Sequence, residues 1–99
     1  MTTTSITDGD KEIIRVEGRV DTSTAEEFSK AVDMAFSKAK NVTINCEKLD
    51  YISSAGLRVL LSAHKKATNE GGRFEISNVN EEILDIFEVT GFSDILNIV

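Results

Sequence analysis

The chain has no proline and no tryptophan, and it holds one cysteine, one histidine and one tyrosine in 99 residues. Without proline, its loops must be set by Gly, Asp, Asn and Ser. The single cysteine, Cys46, cannot close an internal disulfide. It sits in a run of alternating apolar residues and reads as a small core residue kept reduced. Cys46 and His64 together are too few ligands for a structural zinc site. No apolar stretch approaches the roughly 20 residues needed to cross a bilayer. Met1-Thr2-Thr3-Thr4-Ser5 lacks the basic and apolar regions of a signal peptide, so direct membrane insertion is not expected and a cytoplasmic location is. Positive charge is scarce too: 11 Lys and Arg stand against 17 Asp and Glu, for a net charge of −6. The basic residues are dispersed, and Lys65-Lys66 is the one adjacent pair. That excludes the basic footprint of a nucleic-acid-binding protein.

The motifs of common chemistries are missing as well. There is no G-x-S-x-G elbow, no G-x-x-x-x-G-K-[ST] phosphate loop, and no G-x-G-x-x-G after a strand. Asp8 and Asp10 flank a turn glycine without the spacing or later glutamate of a calcium loop. A serine nucleophile needs an activating base, and spacing names none; His64 falls in mid-helix between Ala63 and Lys65. No catalytic residue, cofactor or metal is expected, and an enzyme, such as a weak nucleotide hydrolase, is the least supported reading.

What remains is a soluble composition with 40% hydrophobic residues, enough to pack one core, so residues 1–99 read as one domain. A short edge strand is expected around Thr4 to Thr7, followed by an Asp8-Gly9-Asp10 turn. Ile14, Val16 and Val20 alternate with Arg15, Glu17 and Arg19, which predicts a half-buried strand over Lys11 to Val20. Asp21-Thr22-Ser23-Thr24 then opens a helix in which Ser23 and Glu26 have capping-box spacing. Its apolar face is Ala25, Phe28, Val32, Ala35, Phe36 and Ala39. A strand over Asn41 to Leu49 and a helix over about Ala55 to Asn69 follow, the latter stopped by Gly71-Gly72. Arg73 to Val79 is a strand, Asn80 caps a helix over Glu81 to Thr90, and Ile95 to Val99 is a last strand. Strands alternating with helices imply an α/β fold: a single mixed, mainly parallel sheet with helices packed on it.

The most informative stretch is Asp50-Tyr51-Ile52-Ser53-Ser54-Ala55-Gly56-Leu57-Arg58-Val59-Leu60-Leu61. A strand ends in two serines and an apolar helical pattern begins at once, which puts two hydroxyls where backbone N–H groups lack partners. One serine can be a helix cap, and one can also be a modification site. The rim formed by carboxyl ends of strands is where α/β sheets present functional groups. Asp21 ends a neighbouring strand and should share that rim, with at least a turn or capping role, and Thr22 follows it in the loop to Thr24. Leu57 is either core or an exposed apolar anchor, and Arg58 and Ser62 fall on the wet face.

Gly18-Arg19-Val20-Asp21, Thr24-Ala25-Glu26, the Leu49 to Leu61 segment, Gly71-Gly72, Ile86-Phe87 and Thr90-Gly91-Phe92 occur in order over nearly the whole chain. Together they resemble STAS domains, and most closely the bacterial anti-sigma factor antagonists. The resemblance implies a binding module in cytoplasmic signalling that regulates sigma-factor-dependent transcription. Such an antagonist captures an anti-sigma factor that is often a serine kinase, is released when the kinase phosphorylates it, and is restored by a metal-dependent serine phosphatase. In the pattern D-S-[ST]-G-L the target is the serine two before the glycine, here Ser54. Ser53 stands where aspartate is common and Ala55 where Ser or Thr is common, so Ser53 is a rival acceptor. The partner-binding set implied is Asp21, Thr22, Ser53, Ser54, Leu57, Arg58 and Ser62, on a chain expected to be a monomer. The alternative is an accessory subunit of a membrane or lipid transport complex.

Overall fold

A computed structural model describes residues 1–99. The elements run β1 (Thr2–Asp8), β2 (Lys11–Val20), α1 (Ala25–Lys38), β3 (Asn41–Ile52), α2 (Ser54–Glu70), β4 (Arg73–Ser77), α3 (Glu81–Thr90), a 3-10 turn (Phe92–Asp94) and β5 (Asn97–Ile98). They form one five-stranded sheet in the order β1-β2-β3-β4-β5. β1 pairs antiparallel with β2 through the Asp8–Lys11 hairpin, and every later pairing is parallel. The mixed, mainly parallel α/β sheet expected from the sequence is therefore the one observed.

Each parallel connection steps the same way along the sheet. Right-handed crossovers then put α1, α2 and α3 on one face. A single apolar cluster gathers their buried residues, among them Phe28, Leu60, Ile83 and Phe87, with Ile14, Ile44 and Ile76 from the strands. The sheet's other face carries Arg15, Asn45 and Glu75, all partly exposed. That polar composition is what lets a parallel sheet go without a second helical layer.

Several elements depart from the sequence reading, each for a physical reason. β3 runs to Ile52 rather than Leu49, because Tyr51 and Ile52 pair with Arg19 and Val20 beyond two register shifts in β2. β4 stops at Ser77, where Asn78 takes a left-handed backbone with φ 55°. The final strand shrinks to Asn97–Ile98, because the chain first winds through the 3-10 turn. β1 extends over Thr2–Asp8, paired along its whole length with β2. The Ser23–Glu26 capping box does not form: Thr24 is the α1 N-cap, and its side chain makes no capping bond to the helix.

Glu12 lies in phase with Ile14 and Val16 and is 1% exposed, a charged residue inside the core edge. Its carboxylate accepts hydrogen bonds from the hydroxyls of Thr7 and Ser5, which β1 lays beside it. Those two bonds, Thr7's first, hold its pKa below the ordinary 4.5.

Candidate functional site

The carboxyl ends of β2 and β3 meet at one rim. Val20 and Ile52 are paired there, and the backbone N–H of Ser53 donates to the Val20 carbonyl at 2.8 Å. That bond stitches the loop after β2 to the start of α2. Gly56 brings them closer still. A Cβ on it would lie 2.6 Å from Ile52 Cγ1 and 2.8 Å from Val20 Cγ1, so no larger residue fits without displacing the helix start.

Asp21 organises the first loop. Its Oδ1 accepts from the N–H of Ser23 at 3.0 Å, the Ser23 hydroxyl at 2.7 Å and the N–H of Thr24 at 3.2 Å. Its own N–H donates to Thr24 Oγ1 at 2.9 Å, and that hydroxyl donates to the Arg19 carbonyl at 3.1 Å. The Ser23 hydroxyl, then desolvation working against it, then the backbone bonds set the balance, and the carboxyl pKa falls below 3.8. Asp21 is thus a charged acceptor fixed by its own loop, the turn role expected of it. Beside it the Arg19 guanidinium stacks on Tyr51, 4.4 Å from the ring centroid, a pair that the alternation pattern did not reveal. Pairing of Arg19 with Tyr51 across β2 and β3 creates it.

The two serines differ. Ser53 is the N-cap of α2, half-buried and extended (φ −89°, ψ 176°), and its Oγ accepts from the N–H of Gly56 at 3.4 Å. Its carbonyl accepts from Leu57 N–H at 2.9 Å. Ser54 is the first helical residue and is exposed. α1 and α3 each carry two glutamates in their first turn, whereas α2 carries none. No acidic side chain of its own first turn therefore faces its free N–H groups.

Of the other candidates, Thr22, Arg58 and Ser62 are exposed. Ser54, Arg58 and Ser62 follow one another by single helical turns and form one stripe on α2. Leu57 is the correction. It is 5% exposed and belongs to the core cluster, because the close approach at Gly56 turns the next residue inward. It supports the helix start from below and offers no apolar anchor to a partner.

With this arrangement in view, the comparisons are specific. The family model of the STAS domain matches residues 3–99. The chain belongs to the STAS domain family. The anti-sigma-B factor antagonist of Bacillus subtilis is 24% identical over 85 residues, spanning 86% of this chain and 78% of that one. The anti-sigma factor antagonist SpoIIAA in its unphosphorylated form superposes with a TM-score of 0.76 at 16% identity, over 99% of this chain and 87% of that one. Bacillus SpoIIAA in its phosphorylated form gives 0.75 at 17% identity, over 99% and 91%. At such identities the likeness to the solved structures is one of fold, and this STAS domain keeps that fold with its own residues at the rim.

Proposed function

We propose that this STAS domain is an anti-sigma factor antagonist that binds its anti-sigma factor over the Ser53–Ser54 rim and is released by phosphorylation of Ser54. The observation that carries the reading is the division of labour between the serines. Ser53 caps the helix and is half-buried, while Ser54 stands exposed at the first helical position. A kinase needs a hydroxyl it can reach, and Ser54 is the reachable one. The docking face comprises Thr22, Ser54, Arg58 and Ser62, bordered by Asp21, and the domain acts as a binding module rather than as a catalyst.

A phosphate adds about −1.5 to −2 charge at neutral pH. At a helix start, free N–H groups and the dipole favour an anion by roughly 0.3–1 kcal/mol, so the fold tolerates it. A partner seated on Ser54 must instead bury that charge, at several kcal/mol when it is unpaired. A difference of about 4 kcal/mol weakens binding on the order of a thousandfold. The intermolecular penalty outweighs the local gain, and release follows. A serine phosphatase would then restore binding.

The test is incubation of the domain with ATP and an anti-sigma factor kinase from the same genome, followed by intact mass and peptide mapping. One phosphate on Ser54, lost in Ser54→Ala, is the expected result. Phosphate on Ser53 alone, or none, would overturn the site.

A further inference from the structure

Arg58 lies one helical turn after Ser54 on the exposed stripe of α2. No carboxylate comes within ion-pair distance of it; the chain's two ion pairs are Arg15–Glu47 and Lys30–Glu26. Its four neighbours at helical spacing are Ser54, Ala55, Leu61 and Ser62, all uncharged. The unmodified protein therefore presents an unpaired guanidinium whose N-terminal neighbour is the proposed phosphoacceptor. An anion four residues before a cation is the favourable order on a helix. A phosphoryl group also offers oxygens that a guanidinium can grip in bidentate fashion.

We propose that Arg58 is the internal counter-ion of phosphorylated Ser54: modification closes a phosphate–guanidinium pair along one turn of α2. The pairing rests on Ser54 being the acceptor. It gives the modification a second effect, because phosphorylation adds negative charge to the rim and also withdraws its free arginine from any carboxylate of a partner. The adjoining loop contributes two further charged groups. Asp21 is engaged with Ser23 and Thr24, and Arg19 is stacked on Tyr51. Both remain in place when Arg58 alone is changed.

The experiment installs phosphoserine at position 54 by genetic encoding and follows the second ionisation of the phosphate, near about pH 6 in the absence of a partner, by 31P NMR. The intact domain is compared with Arg58→Gln, Arg58→Lys and Arg19→Gln. Because the group is placed directly, the outcome does not depend on whether a kinase chooses Ser54. The expected result is that Arg58→Gln raises this pKa by about 0.15–0.4 of a unit, the size of an i,i+4 pair expressed as a proton affinity. Arg58→Lys should retain part of the effect and Arg19→Gln should leave it unchanged. An unchanged pKa in Arg58→Gln, or a shift that follows Arg19 instead, would overturn the pairing while leaving release by phosphorylation standing on its own test.

Discussion

Ser53 and Ser54 are chemically identical neighbours separated by what their backbones do. Ser53 holds an extended backbone and turns its oxygen onto the Gly56 N–H, while Ser54 has entered the helix and faces out. The cap bond is long, 3.4 Å, so its contribution belongs at the weak end for a serine cap. Ser53→Ala is expected to lower stability by about 0.5 kcal/mol. Ser54→Ala should stay within about 0.5 kcal/mol of the parent while removing the proposed phosphoacceptor. Urea unfolding checks both, and a larger loss in Ser54→Ala than in Ser53→Ala would contradict the assignment. The serine pair was legible because a strand pattern ended where a helical one began. Which serine caps and which is exposed was not legible, since that depends on where the strand stops, and pairing with β2 decides that. Leu57 shows the same limit. Helical spacing allowed it inside or outside, and the contact of Gly56 with Val20 and Ile52 settled it.

At the level of elements, alternation revealed β2 and β3, and glycine revealed the end of α2. Pairing overrode the pattern at boundaries, lengthening β3 and β1 and trimming β4 and β5. Glu12 carries a further lesson. Its phase matched Ile14 and Val16, yet a glutamate in that place reads as exposed until Ser5 and Thr7 arrive from β1. Its carboxyl pKa is lowered by folding, so the ionised form is favoured in the native state. Its contribution is therefore present above the unfolded value and is lost as the pH falls below 4.5 through the folded value. Amide protection in β1, taken as exchange relative to the intrinsic rate at each pH, should fall over that acid range, and Glu12→Gln should flatten the dependence. Protection in β1 that is equally pH-independent in both proteins would refute this. Gly56 joins α2 to the sheet. Gly56→Ala is expected to destabilise by about 1–3 kcal/mol through overpacking against Val20 and Ile52, read by urea unfolding. Wild-type stability in that variant would mean the contact is soft.

For the whole molecule, one layer of helices on one face of the sheet leaves a rim where two strand ends and one helix start converge. The scaffold beneath is rigid: Phe28, Leu49, Ile83 and Phe87 are at most 2% exposed, and Cys46 is buried with its thiol pushed up to about 12. A charge added at the rim therefore has no packed element to displace, and its effect falls on whatever is docked there. The fold class followed from composition and element order; the single-sided layering followed from the direction of three successive crossovers, which no local pattern encodes. The measurement that tests the switch most directly is calorimetric titration of the anti-sigma factor with the bare domain and with the domain carrying phosphoserine at position 54, both checked for an unchanged far-UV spectrum. The predicted result is a loss of affinity on the order of a thousandfold with the fold intact. Equal affinities, or a loss explained by unfolding, would contradict it.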